Sequence, residues 1–258
     1  MTKCTVKRAS LTNFLSSFGP GVEDLRLNVS NNQLAGGVAV STHFITQRIV
    51  VTQLEAGAIV IADLSKVQAF LRACSGEEVT LQQNVTDTKT GNLSLSCGNT
   101  KVTLPPTQEV KSSAGLAMAS KLVDAASASN WTSFGDANLT GYGVIDIADL
   151  SAVSSLGKVV GADKPYTVSW MAQVSDLLIQ TGAKVTGEMH HTVHFSMGDF
   201  NPEVDEVSSR FGPWFPEVLA CLPPGKAEFY VGDGTVLVFN HQDVECLLVI
   251  IDQAGGEE

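Results

Sequence analysis

The chain has 258 residues and a formal net charge of −11, with 44% hydrophobic and 17% charged residues. This length suits one large domain or two of roughly 100–130 residues. No apolar run reaches the ~18–20 residues of a membrane-spanning helix, which excludes that class of membrane protein. Basic residues near the N-terminus are not followed by an apolar segment, so we expect no secretory signal. Five widely spaced cysteines without a CxxC pair favour a reduced, cytoplasmic protein.

The first part of the chain predicts one α+β unit. A short strand precedes a helix that has Ser10 as its expected N-cap and ends before Gly19. A second helix is expected from Asp63 to about Cys74, with an apolar stripe that faces a core. Alternating segments on both sides of this helix are typical of antiparallel strands; they are DLRLNVS, QLAGGVAV, HFITQRIVV, AGAIVIA, EVTLQQN, NLSLSC and KVTLPP.

The pattern then restarts after a segment rich in Ala and Ser, which we interpret as a linker with at most a helical turn. A strand and a helix begin the second unit, and a compact helix follows in PWFPEVLACLPPG between further strands. The sequence therefore predicts an N-terminal domain at 1–106, a connector at 107–140 and a C-terminal domain at 141–258. Each domain is expected to have two short helices backed by antiparallel sheets.

A short repeat supports the two-domain interpretation. IADLSKVQAFLRA begins at Ile61 and IADLSAVSSLGKV begins at Ile147, which suggests one strand-to-helix junction used twice. Lys66, Arg72 and Lys158 lie on the polar faces of these two helices, away from the apolar stripes.

Motifs for catalysis or metal binding fail on inspection. The histidines of EMHHTVHF lie on an expected strand without a further ligand at useful spacing. DFNPEVDEVSSR has Val204 where a calcium loop requires Gly and Arg210 where it requires Glu. GYG at Gly141 lacks a third glycine, and neither a phosphate-binding loop nor a GxSxG elbow is present. We predict no metal, no cofactor and no enzymatic activity.

Three stretches resemble the sliding clamps of DNA replication, most closely those of T-even bacteriophages. AVSTHFITQR is also similar to PCNA, the cellular and archaeal relative. The three stretches are SLTNFLSSFG, then IVIADLSKVQAFLRACSGEEVTLQQ with GNLSLSCGNTKVTLPP, and FSMGDFNPEVDEVSSRFGPWFPEVLACLPPGKAEFYV.

The resemblance implies a closed homotrimeric ring of six such units, with helices lining a hole that encircles duplex DNA without sequence preference. It also implies a clamp loader and a replicative DNA polymerase as partners, in the cytoplasm of a host cell. The implied DNA-facing residues are Lys7, Arg8, Lys66, Arg72, Lys158 and Arg210. The implied pocket for a partner peptide contains Val40, His43, Phe44, Leu248 and Ile250.

Two alternatives stay open from the sequence. The first is a viral structural or binding protein of two β-rich domains, in which the basic residues of the helices would only face solvent. A hydrolase would require a catalytic constellation that the sequence does not offer.

Overall fold

The computed structural model describes residues 1–19, 21–86, 88–106, 116–160, 164–171, 176–182, 190–196, 198–199, 206–232, 234–241 and 244–251. Contacts divide the chain into two compact units. The first contains Met1–Val40, Phe44–Leu116 and His241–Cys246, and the second contains Ser41–His43, Ala117–Asn240 and Leu247–Glu258. Among the described residues, none of the helices is long and apolar enough to cross a membrane.

The first unit is built from two antiparallel sheets and two helices. Its elements are β1 (Thr2–Lys7), α1 (Arg8–Ser16), β2 (Leu25–Ser30), β3 (Gln33–Ala39), β4 (His43–Val50), β5 (Thr52–Glu55), β6 (Gly57–Ile61), α2 (Leu64–Ala73), β7 (Glu78–Gln83), β8 (Leu93–Cys97) and β9 (Thr100–Leu104). One sheet has the order β5-β1-β7-β8-β9 and the other contains β4-β3-β2-β6.

Alternating burial along the strands of the first unit creates its core. β2 buries Leu25, Leu27 and Val29, while the residues between them point away. The helices add the predicted apolar stripes, which the structure confirms for α1 and α2; the buried members are Leu11, Phe14, Leu15, Leu64, Val67, Phe70 and Leu71. Both helices thereby bury one side and expose the other.

The segment predicted as the connector contains more regular structure than the sequence interpretation expected. Instead of at most a helical turn, it forms α3 (Leu116–Ala128), a helix of 13 residues. Its composition, LAMASKLVDAASA, is rich in alanine, the strongest helix former. The helix ends at Ala128, and Asn130 and Trp131, which follow it, both have positive φ angles.

The second unit repeats the arrangement of the first. Its elements are β10 (Ser133–Phe134), β11 (Ala137–Asp146), α4 (Ile147–Val160), β12 (Tyr166–Met171), β13 (Asp176–Gly182), β14 (His190–Ser196), β15 (Gly198–Asp199), β16 (Glu206–Phe211), α5 (Phe215–Leu219), β17 (Lys226–Gly232), β18 (Thr235–His241) and β19 (Val244–Ile251). One sheet has the order β10-β11-β17-β18-β19 with β15 beside β11, and the other has the order β14-β13-β12-β16.

The strand orders reveal the internal duplication. Adding ten to each strand number of the first unit gives the sheet order of the second, so β1 corresponds to β11 and β7 to β17. By the same rule α1, which follows β1, corresponds to α4, which follows β11. The two units therefore have one topology, as the sequence predicted.

The IADLS repeat, however, does not mark equivalent junctions, and that interpretation was wrong. The repeat aligns α2 with α4. By topology, however, α4 corresponds to α1, because each follows the equivalent strand, β11 or β1. The two copies also fold differently. Asp63 precedes α2 as its N-cap, whereas Asp149 lies inside the first turn of α4. Asp146 accepts a hydrogen bond from the Ala148 amide at 2.9 Å and so starts α4 three residues earlier.

The core of the second unit is rich in aromatic side chains. Phe211 and Phe215 are fully buried, and their rings stack with centroids 4.9 Å apart. Trp170 is also fully buried. Its indole lies directly against Gly141, where a Cβ atom would come within 2.5 Å of the ring. Gly141, the first glycine of GYG, thus serves packing, because a side chain at this position would collide with Trp170.

Candidate nucleic-acid interface

The two helices of the first unit form a surface of small polar side chains. α1 and α2 pack together, and the Gln68 side chain donates a hydrogen bond to the Leu15 carbonyl at 3.3 Å. The exposed residues of α1 and α2 are small or basic; they are Ala9, Asn13, Ser16, Ser65, Lys66, Ala69, Arg72 and Ala73. Small side chains let another backbone approach closely, so the two basic residues of α2 dominate the chemistry of this face.

The N-terminal end of α2 is held by Asp63. Its carboxylate accepts hydrogen bonds from the Lys66 amide at 3.0 Å and from the Ser65 hydroxyl at 2.6 Å. The Lys66 ammonium lies 2.8 Å from the other carboxylate oxygen. The side-chain bond from Lys66, followed by the bond from Ser65, lowers the pKa of Asp63 from 3.8 to about 2. Lys66 is exposed but its charge is already opposed by a neighbouring carboxylate.

The C-terminal end of α2 is held by Arg8. The guanidinium donates from Nε to the Gly76 carbonyl at 2.9 Å and from Nη1 to the Leu71 carbonyl at 3.2 Å. Leu71 is in the last turn of α2, where carbonyls lack helical partners and a cation is favoured by the helix dipole. The Arg8 amide also donates to the Glu77 carbonyl at 2.7 Å. Arg8 therefore connects the start of α1 to the end of α2.

Lys7 and Arg72 complete the predicted residues of the first unit. Both are exposed; Lys7 ends β1, and Arg72 lies in the last turn of α2. Arg72 and Lys66 are six residues apart on one exposed face, with Ala69 between them. The structure thus brings Lys66 and Arg72 onto one helix surface and assigns Arg8 to a carbonyl contact.

The predicted residues of the second unit lie on different kinds of element. Lys158 is in α4, and its side chain is outside the described part of the structure. Arg210 is exposed on β16, where it is opposite Thr167 of β12. The helices of this unit expose acidic side chains, namely Asp149 on α4 and Glu217 on α5.

Charge is unevenly divided between the units. The first unit contains 10 Lys and Arg against 10 Asp and Glu, so it is formally neutral. The second contains 6 Lys and Arg against 17 Asp and Glu, so it holds the whole net charge of −11.

The residues predicted for the partner pocket are mostly buried. Phe44 is 4% exposed, and Leu248 and Ile250 are fully buried. His43 is buried, and its Nδ1 lies 3.0 Å from the Thr42 hydroxyl oxygen. Val40, just before β4, is half-buried.

Sequence reasoning missed an aromatic cluster on the sheet of the second unit. The Trp131 ring lies 5.6 Å from Phe239 and 6.3 Å from Tyr230, and the Tyr230 ring is 5.0 Å from Tyr142. The Tyr230 hydroxyl donates to the Glu228 carboxylate at 2.8 Å. These aromatics come from three strands and the end of α3, and single-strand alternation could reveal only that Tyr142 and Val144 share a face.

Among the described residues, no group of three or more His, Cys, Asp or Glu side chains is placed to hold a metal ion.

No family model and no curated protein sequence matches the chain. Solved structures do. Archaeoglobus fulgidus PCNA bound to the C-terminal region of FEN-1 matches with a TM-score of 0.69 at 12% identity, over 100% of both chains. Entamoeba histolytica PCNA matches with a TM-score of 0.70 at 11% identity, over 98% of both chains.

Bacterial clamps match over a part of their length. The Helicobacter pylori beta clamp has a TM-score of 0.67 at 10% identity, and the match covers 99% of this chain and 65% of the clamp. The chain thus spans about two thirds of the length of the bacterial beta clamps it matches. At such identities the similarity concerns the fold, and the chain has the α+β fold of DNA-clamp domains, twice in tandem.

Proposed function

We propose that the protein is a sliding clamp that encircles duplex DNA and tethers a replicative DNA polymerase. The observation that carries the proposal is the match to two PCNA chains over almost their whole length. Both units of this chain contribute the same topology, and in the first unit each helix buries one side and exposes the other. A scaffold of this kind performs no chemistry, which agrees with our prediction of a protein that is not an enzyme.

The proposal includes a closed homotrimer. β9 is at the end of one sheet in the first unit, and β14 is at the end of one sheet in the second. Proteins avoid leaving such edges unpaired, and pairing unlike edges of successive copies gives a head-to-tail assembly that can close into a ring. A ring explains why strong phosphate affinity is not needed, because the DNA is retained by topology.

The proposed partners are a polymerase, a clamp loader and other replication proteins. The H. pylori beta clamp has been solved with a DNA ligase peptide, and the A. fulgidus PCNA with part of FEN-1. By analogy, a short peptide would dock at the residues predicted for the partner pocket, which are Val40, His43, Phe44, Leu248 and Ile250. The resemblance to T-even clamps extends the proposal to a bacteriophage protein that acts in host cytoplasm.

The mass in solution tests the ring. Light scattering at micromolar concentration should give about 82 kDa, which is three chains of 27.2 kDa. Negative-stain electron microscopy of the same sample should show three-fold particles with a central opening. A chain that stays monomeric at high concentration would refute the clamp and favour the alternative, a binding protein of two β-rich domains.

A further inference from the structure

Two buried cysteines of the first unit lie side by side. Cys74 follows the last turn of α2 and Cys97 ends β8, and their side chains are 4% and 2% exposed. The Cys74 thiol donates a hydrogen bond to the Leu71 carbonyl at 3.6 Å, and the Cys97 thiol donates to the Gly76 carbonyl at 3.4 Å. The two side chains are also within hydrogen-bonding reach of each other. They therefore form a pair of adjacent thiols on two separate elements.

The backbone around the pair lets the sulfur atoms approach each other. Cys74 is the C-cap of α2 and has an extended conformation, so the chain leaves the helix at this residue. Gly76 packs directly against Cys97, since a Cβ atom at Gly76 would come within 2.8 Å of the Cys97 Sγ. Both cysteines are thus at the ends of their elements, where a small backbone shift can bring two sulfurs to bonding distance.

Arg8 allows both thiol hydrogens to be lost without a buried polar group becoming unsatisfied. Its guanidinium donates to the same two carbonyls, from Nη1 to Leu71 and from Nε to Gly76. A buried carbonyl that loses its last donor destabilises a protein, but each of these carbonyls keeps a bond to a charged donor when the thiol hydrogen is gone. The site can therefore hold a disulfide in place of two thiols.

We propose that Cys74 and Cys97 are a dithiol modification site, which a small-molecule disulfide such as oxidised glutathione converts to an intramolecular disulfide. One cysteine thiolate attacks the reagent, forms a mixed disulfide and releases the first small thiol. The second cysteine attacks the mixed disulfide and releases the other small thiol. Two electrons pass to the reagent, and the two cysteine protons end on the two thiols that it releases. This inference goes beyond the proposed function and does not rest on it.

Burial sets the conditions of the reaction. It raises the pKa of the Cys74 thiol, and the neighbouring Cys97 raises this pKa further, whereas the Arg8 guanidinium lowers it. Cys74 is thus kept as a thiol near neutral pH, and a reagent reaches it only when the end of α2 opens. The pair therefore stays reduced in a reducing compartment and forms the crosslink under sustained oxidising conditions.

Peptide mapping by mass spectrometry tests the site in the wild-type protein. The reduced protein is incubated with excess oxidised glutathione at mildly alkaline pH, and the remaining thiols are alkylated before digestion without reductant. Trypsin cleaves after Lys89, so Cys74 and Cys97 fall in separate peptides. We expect these two peptides to be linked in several-fold higher yield than any other pair of the five cysteines, and to separate after treatment with dithiothreitol.

Two variants serve as matched controls. Cys97→Ser removes the second thiol, so Cys74 should keep a glutathione adduct that cannot proceed to an intramolecular disulfide. Cys4→Ser removes another buried cysteine of the same unit and should leave the linked peptides unchanged. In urea, oxidised wild type should unfold at a higher midpoint than reduced wild type, because a crosslink restricts the unfolded chain. The same treatment should not raise the midpoint of Cys97→Ser.

Several results would overturn the proposal. Glutathione adducts that accumulate on wild-type Cys74 or Cys97 without linked peptides would show that the second thiol cannot reach the first. Thiols that react only in urea, or a linkage of either residue to Cys4, would show that the folded chain does not present this pair. A urea midpoint that oxidation leaves unchanged or lowers would mean that the crosslink does not fit the native structure. Mass in solution tests the clamp separately, so either inference can fail alone.

Discussion

Removing the guanidinium of Arg8 should destabilise the first unit, because two carbonyls at the end of α2 lose their donor. The bonds to Leu71 and Gly76 are 3.2 and 2.9 Å long and link residues more than 60 positions apart in the chain. Hydrogen bonds with a charged partner contribute about 1.5–3 kcal/mol each when buried. Arg8 is half-buried, so solvent competition reduces this value.

We expect Arg8→Ala to lower the free energy of unfolding by about 2 kcal/mol, which combines two weakened bonds with the loss of a cation at a helix C-terminus. Arg8→Lys keeps the charge but cannot span both carbonyls, so it should recover about half of the loss. Arg26→Ala removes an exposed arginine from β2 and should change stability by no more than about 0.5 kcal/mol.

Urea unfolding followed by far-UV circular dichroism measures these differences for the whole protein. Hydrogen exchange read by mass spectrometry localises them, and the peptides that cover Leu64–Ala73 should exchange faster in Arg8→Ala than in Arg26→Ala. If Arg8→Ala and Arg26→Ala are equally stable and exchange equally at α2, Arg8 does not hold this helix and is available for DNA.

Other predictions concern single side chains. Asp63→Ala should cost about 1 kcal/mol through loss of the N-cap. The pKa of Asp63 is lowered from 3.8 to about 2 in the folded protein, so the ionised carboxylate should contribute fully to the free energy of unfolding above about pH 4. This contribution should disappear as the pH falls through 2. If the wild type stays more stable than Asp63→Ala in urea below pH 2, this account is contradicted. Phe44→Ala should cost about 3–5 kcal/mol, since Phe44 is 4% exposed, and an unchanged urea midpoint would show that the site is not core. Val40→Asp should weaken binding of a polymerase-derived peptide, while the mass of the oligomer stays constant. If the affinity measured by calorimetry is unchanged, the peptide does not bind at Val40. Burial raises the pKa of the Cys4 thiol to about 11, so iodoacetamide at pH 8 should modify half-buried Cys221 before Cys4; peptide mapping that finds the reverse order would refute this.

The sequence was sufficient for the architecture because hydrophobic periodicity records which side of each element is buried. Leu64, Val67 and Phe70 were predicted from spacing alone, and all three are buried. Helix starts were harder to predict. Ser10 was expected as the cap of α1, but the helix begins at Arg8, whose amide is bonded to the Glu77 carbonyl of another segment.

Long-range partners explain most of what the sequence could not provide. Lys66 was predicted correctly to lie on the polar face of α2, since helical spacing is a local property. Nothing local shows that Arg8 meets Leu71 or that Trp131 stacks beside Phe239. The IADLS repeat was misleading because the same five residues begin a helix at different points in the two copies. Asp63 caps α2 in the first copy, whereas Asp146, which precedes the second copy, caps α4.

The contact between Gly141 and Trp170 has a consequence for how relatives of this chain would be recognised. Gly141 can accept a side chain only if the indole is replaced by something smaller, so the two positions should change together over evolution. Such paired substitutions preserve the backbone conformation, although both residues then differ between relatives. A clamp fold can therefore persist at 10–12% identity, and correlated substitution at positions 141 and 170 would reveal distant relatives that residue-by-residue comparison overlooks.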